Sequence, residues 1–301
     1  MSGDGTIEPV RFNAFPELKE SFLTGSLEAT FILAPMAMKL REEGHPVKIV
    51  HLGHRDGTAM MVHKDSPIRR IEDLRPGPDG KKKKVAIPSR LSNQFLILFK
   101  AFSERGMDVR DIEFQDVPPP EMPIRLQQKQ VDAIIAGEPL MAKTEIEGYG
   151  RVLFLTKDVW PEFISCVLAV KESTIRDKRA RVQELVDGIA RSGLWLDQDK
   201  ADPSGGNHRM QAAEFVGPQY YGQDPKLLRF VLSKPVDRVK YTNLSVREKD
   251  FDEIAKWFKQ ASPFMRPHDR FKGEAGFKDY CDPSFLAEDR KLEAYKWQKP
   301  K

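Results

Sequence analysis

The chain alternates short, nearly uninterrupted apolar runs with stretches whose apolar residues recur every three to four positions. The clearest runs are Ala29-Thr30-Phe31-Ile32-Leu33 and Ala133-Ile134-Ile135-Ala136, each closed by a proline, Pro35 and Pro139. Such runs predict strands buried on both faces of a helix-covered parallel sheet, since a strand with one wet face would alternate apolar and polar residues. The segment ahead of each run reads as a helix. Phe15-Pro16-Glu17-Leu18 and Pro119-Pro120-Glu121-Met122 put proline near its start, with Leu18 and Phe22, or Met122 and Leu126, at i, i+4. One offset of 104 residues relates all of these features, and it also lays Leu27-Glu28-Ala29 over Val131-Asp132-Ala133 and Lys39 over Lys143. The pattern predicts two similar α/β lobes.

The same offset predicts an asymmetry. Val85-Ala86-Ile87 reads as a strand and residues 91–106 as a helix, both ahead of the second copy. Counting back 104 from Val85 falls before residue 1, so the first lobe is expected to have lost its opening strand and helix. Residues 47–52, 59–62 and 165–170 read as further strands, with a polar turn at Gly53-His54-Arg55-Asp56-Gly57. The last two of these strands flank the second lobe, as two hinge strands would, giving lobe one as 1–63 plus 171–301 and lobe two as 64–170. Beyond residue 173 the pattern is helical. Val182, Leu185, Val186 and Ile189 share one face, as do Phe251, Ile254, Ala255 and Phe258, and Ser245-Val246-Arg247-Glu248 has the form of a capping box. These helices are expected to pack over the first lobe, and Trp195, Trp257 and Trp297 to pack rather than stack on a ligand.

Composition narrows the function classes. The chain has 301 residues, 40% hydrophobic and 31% charged, which is enough for two cores and argues against a disordered chain. A formal charge of +4 is too dilute to indicate nucleic acid, and the run from Lys81 to Lys84 reads as a solvated loop. No apolar stretch approaches the ~18 residues of a membrane span. Cys166 and Cys281 lie far apart with no metal-ligand spacing, and the first residues carry no export signal. Either the chain stays inside the cell or its front end is missing.

Candidate chemistry collects at predicted strand ends. In Ile87-Pro88-Ser89-Arg90-Leu91-Ser92-Asn93, the residues Ser89, Ser92 or Asn93 can cap the following helix, whose first turn favours an anion. Arg90 would add bidentate donors if it faced the cleft. Pro35, His54, Arg55 and Glu138 end the other strands, where open α/β sheets bind their ligands. Glu138 would repel an anion unless paired with Arg55 or Arg90, and otherwise selects a cationic or amine-bearing group. The six histidines show no HExxH spacing, and GxSxG, P-loop and GxGxxG motifs are absent, so no catalytic residue, metal or cofactor is expected.

These residues carry a resemblance. Phe15-Pro16-Glu17-Leu18, Gly25, Leu27-Glu28-Ala29 and Pro35, then Asp65-Ser66-Pro67-Ile68, Glu72-Asp73-Leu74 and Lys83-Lys84-Val85-Ala86-Ile87-Pro88, are similar to the nitrate/sulfonate/bicarbonate group of periplasmic substrate-binding proteins of ABC transporters. Gly106-Met107-Asp108, Asp111-Ile112, Val131-Asp132-Ala133 and Glu138-Pro139 continue it. The resemblance implies a two-lobed type II periplasmic-binding-protein fold that captures a small anionic or polar organic solute and presents it to a membrane permease. It also implies a periplasmic location and no nucleic acid; a hinged receptor of this kind is expected to act as a monomer. The signal peptide and first strand-helix usual in that group are absent here. A ligand-sensing or pyrimidine-precursor-related protein of the same fold, located in the cytoplasm, is the alternative. Pyrimidine-precursor synthases of similar fold carry a cysteine-rich segment with no counterpart in this chain.

Overall fold

Two main sheets divide the chain, and the division follows the 104-residue offset. The computed structural model describes residues 7–202, 207–216, 222–285 and residue 292. Trp297, the opening Met1 to Gly5 and most of the loop after Asp202 lie outside the described residues. In chain order the first elements are α1 (Phe15–Thr24), β1 (Ala29–Leu33), α2 (Ala34–Glu42), β2 (Val47–Leu52), β3 (Arg55–Asp56) and β4 (Thr58–His63). Then come β5 (Lys83–Ile87), α3 (Asn93–Ser103), β6 (Ile112–Asp116), α4 (Met122–Gln127), β7 (Ala133–Gly137), α5 (Leu140–Ile146), β8 (Gly150–Leu155), α6 (Thr156–Val159) and β9 (Cys166–Lys171). The remainder is α7 (Glu172–Asp177), α8 (Arg179–Asp197), α9 (His208–Val216), α10 (Pro225–Ser233), β10 (Val239–Lys240), α11 (Glu248–Ala261) and α12 (Phe277–Tyr280).

The larger sheet has the order β6-β5-β7-β4-β8, with β5 parallel to β6 and β7, and β4 antiparallel to β7 and β8. Its alternating residues feed two layers. Val85, Ile87, Ile135, Met60 and Val62 pack with α3, and Ala86, Ile134, Ala136 and Met61 pack with Met122, Leu126 and Met141 of α4 and α5. Burial on both faces is what the run at β7 demanded, but the sheet is mixed and not wholly parallel, since β7 pairs parallel with β5 and antiparallel with β4.

The smaller sheet, β1-β9-β2, repeats only the last three strands of that order. β9 is antiparallel to both neighbours, as β4 is to β7 and β8. β1 shifted by 104 coincides with β7, and α2 so shifted overlaps α5. Among the described residues no strand pairs with the outer edge of β1, where a counterpart of β5 would lie. The consequence shows at Phe31, which is 43% exposed although its counterpart Ile135 is fully buried.

β4 belongs to the larger sheet and β9 to the smaller, so the chain crosses between lobes at residues 53–57 and 163–165, earlier than the expected boundaries at 63/64 and 170/171. α8 covers one face of the small sheet through Val182 and Val186, which meet Val50, Leu168 and Val170. α11 does not cover the first lobe alone. Its Phe251, Ile254 and Phe258 join a single apolar cluster that also contains α2 and α3 residues, so it bridges the lobes. Its start differs from the capping-box expectation. The helix begins at Glu248 with Arg247 at the N-cap and no side-chain cap, because Val246 is drawn into the core and Arg55 holds the Asn243 carbonyl.

Candidate functional site

The two crossings, the carboxyl end of β7 and the β10 segment converge in one region. Ser165 N donates to His54 O, Asp56 N to Phe163 O, Glu138 N to Gly57 O and Gly57 N to Arg238 O. Beside this junction lies a cavity of about 540 Å³, walled on one side by His54, Gly57, Glu138, Pro139 and Leu140. Leu196 of α8, Leu228, Val231 and Leu232 of α10, and Val239 and Tyr241 close the other side, with Arg11 at the mouth. Size and lining fit a site for a small organic molecule, whose pockets are mostly apolar with a few fixed polar groups.

Glu138 is its principal polar group. The carboxylate is buried at the end of β7, accepts from Arg238 Nε at 2.6 Å and from Ala142 N at 2.8 Å, and so caps the first turn of α5. Burial pushes its carboxyl up against the pull of Arg238. Arg238 is itself buried and makes 3.3 Å contacts to Glu145 and a 2.9 Å bond to the Lys234 carbonyl. His54 lies on the same wall with Nδ1 unpartnered among the described residues, and burial lowers its pKa to about 4. The ring is therefore neutral at pH 7 and offers a hydrogen bond, not a charge.

Of the eight residues expected at the site, His54 and Glu138 line this cavity and the other six do not. Arg55 is fully buried, with Nε on Asn243 O, Nη1 on Glu162 O and Nη2 on Asp250 Oδ2, each at 2.7 Å. It fastens the first crossing to the segments ahead of β9 and α11, which leaves no donor directed at a guest. Arg90 does not line the cavity; its guanidinium lies 4.6 Å from the Phe114 ring centre and 5.2 Å from that of Phe95. Pro35 is buried in the first turn of α2. Ser92 caps α3 by accepting from Phe95 N at 3.2 Å. Asn93 donates to the Ser165 carbonyl on the second crossing. Ser89 Oγ, Asn93 Oδ1 and Gln94 Oε1 are buried without a hydrogen-bond partner among the described residues.

Sequence reasoning missed Arg238, Tyr241 and the α10 side chains. Leu227, Leu228, Val231 and Leu232 do carry a readable signal, an apolar face at helical spacing on either side of two turns. Arg238 carries none, since it lies 100 residues from the carboxylate it serves.

Asp56, next to the cavity wall on the first crossing, has φ 58° and a carboxylate with no hydrogen-bond partner among the described residues; Lys240 Nζ stands 3.4 Å away. Burial pushes this carboxyl up to about 6. The thiol of Cys166 is pushed up to about 11 by burial, and that of Cys281 is also raised, so both stay protonated at neutral pH. No group of three or more metal-ligating side chains occurs among the described residues.

Two α/β lobes joined by a double crossing define a type II periplasmic-binding-protein fold. Comparison with known proteins agrees: the chain matches the NMT1-like family over residues 2–210 and belongs to it. The ligand-binding component of an ABC-type import system from Staphylococcus aureus, solved with zinc bound, superposes with a TM-score of 0.76 at 22% identity, covering 92% of this chain and 85% of that one. The alkanesulfonate-binding protein of Xanthomonas axonopodis pv. citri, bound to MOPS, gives 0.69 at 16% identity, covering 86% and 83%. Among curated proteins, the nitrate import ATP-binding protein NrtC of Synechocystis is 24% identical over 200 residues, 62% of this chain and 29% of that protein. The chain thus spans less than a third of the length of that relative.

Proposed function

We propose that this protein is the solute-binding component of an ABC-type importer, holding a small organic molecule between its lobes and passing it to a membrane permease on the outer side of the cell membrane. The observation that carries the reading is the cavity at the carboxyl end of β7, walled by the first crossing and by α10, in a fold shared with import-system binding proteins. An apolar wall of Leu140, Leu196, Val231 and Leu232 favours a guest with a carbon body over a bare inorganic oxoanion, which would give up its hydration for few donors. No catalytic step is assigned to the site: both thiols are held protonated, and His54 has no nucleophile as a bonded neighbour.

The test is a thermal-shift screen of the purified chain against nitrate, bicarbonate, alkanesulfonates and neutral organic solutes, with hits followed by calorimetry. Saturable 1:1 heat with an organic solute is the expected result. Product formation from the bound solute, or binding only of nitrate or bicarbonate, would overturn the reading.

A further inference from the structure

Resting on that binding role, we infer that the cavity selects an uncharged guest, one that offers an N–H or O–H donor to Glu138 and buries an apolar body against α10. The argument begins with where the nearby cations are spent. All three donor positions of Arg55 are bonded inside the crossing, and Arg90 lies against Phe114. Arg238 gives its Nε to Glu138 and its two Nη groups to Glu145 and the Lys234 carbonyl. Arg11 stands exposed at the mouth, where water screens it.

At the Glu138 end, two carboxylates, Glu138 and Glu145, face one guanidinium. That imbalance opposes a carboxylate, sulfonate or nitrate brought in from water, and taking such an ion out of water costs several kcal/mol before any gain. A cation also loses its hydration here, and the charge it would meet is already shared with Arg238, since Glu145 is partly exposed and screened. Glu138 is the one carboxylate lining the described wall, and both of its oxygens already accept a hydrogen bond. Each carboxylate oxygen retains a second lone pair, so a neutral donor can add to Glu138 without displacing Arg238. His54, neutral across the physiological range, completes the polar side as a dipole.

Benzoate, benzamide and benzamidine test this directly, because they share a planar shape and differ in charge from −1 through 0 to +1. Calorimetric titration at pH 7 is expected to find benzamide tighter than either ion by at least about ten-fold. Benzoate or benzamidine binding as tightly as benzamide overturns the inference and leaves the binding role standing. Absence of saturable heat with all three overturns it as well, and the binding role is then judged by the solute screen alone. In Glu138→Gln, which removes one of the two carboxylates, the order is expected to shift towards benzoate; an unchanged order contradicts Glu138 as the acceptor.

Discussion

Replacing Arg238 by Met isolates the interaction on which the cavity floor depends. The substitution keeps most of the apolar stem but leaves the buried Glu138 carboxylate with a single donor, Ala142 N. The carboxyl then does best by staying protonated in the folded state. Relative to an ordinary value of 4.5, that costs about 3 kcal/mol at pH 7 and under about 1 kcal/mol at pH 5. The bonds to Lys234 O and Glu145 add about 1 kcal/mol that changes little with pH. The total is a loss of up to about 4 kcal/mol at pH 7, within the range for breaking a buried pair, and up to about 2 kcal/mol at pH 5, since burial already raises the wild-type carboxyl. Urea unfolding of the wild type and of Arg238→Met, Glu138→Gln and the double variant at both pH values measures it. The double variant is expected to recover most of the loss at pH 7. Equal losses at the two pH values, or a coupling under about 0.5 kcal/mol at pH 7, would refute the reasoning.

Acid should destabilise the fold through His51 and His54, whose burial holds both near pKa 4 against an ordinary 6.5. Each takes up a proton on unfolding between those limits, so stability falls as pH drops through the window. Asp56 has the opposite sign: its raised pKa stabilises the fold at low pH, a contribution lost as pH rises through about 6. His51, His54 and Asp56 together should take up about one proton on unfolding at pH 5, and Asp56→Asn should raise the measured uptake by about one; proton uptake from paired buffers in calorimetry, wild type against variant, checks this. Gly193 and Gly188, both on α8, should part company on substitution by Ala. A Cβ at Gly193 would stand 2.0 Å from Tyr241 O, costing at least about 2 kcal/mol, whereas one at Gly188 meets nothing within 4 Å and should stabilise the helix by up to about 1 kcal/mol. Two unfolding curves decide this, and a loss at Gly188 matching that at Gly193 would contradict the packing described. Ser92→Ala should cost about 1 kcal/mol in the same assay, since Phe95 N loses its acceptor at the start of α3.

The sheet architecture was legible because burial on both faces leaves its mark on consecutive residues. Ala29–Leu33 and Ala133–Gly137 were readable as strands from apolar content, and their offset as a repeat from the prolines, acidic residues and lysines that recur around them. The faces of α8 and α11 were readable for the same reason, through helical spacing. Side-chain direction was not. Arg55 and Arg90 share residue type and strand-end position, yet one is consumed by partners 107 to 195 residues away and the other by a neighbouring strand's Phe114. The same holds for Glu138: its need for a cation could be argued from charge, but Arg238 is brought to it by the β3–β10 pairing, which rests on two residues a side and leaves no pattern in the sequence. Arg238 thus occupies the role expected of Arg55 or Arg90. The helix start at Glu248 was displaced by a tertiary bond, Arg55 to Asn243, that no local capping rule anticipates.

Hydrogen–deuterium exchange with and without a solute hit tests most directly whether a guest sits between the lobes. Slowed exchange is expected at residues 54–57, 138–142 and 228–241, the three segments that wall the cavity from different parts of the chain. Protection confined to one lobe, or to surfaces outside these segments, would contradict the account.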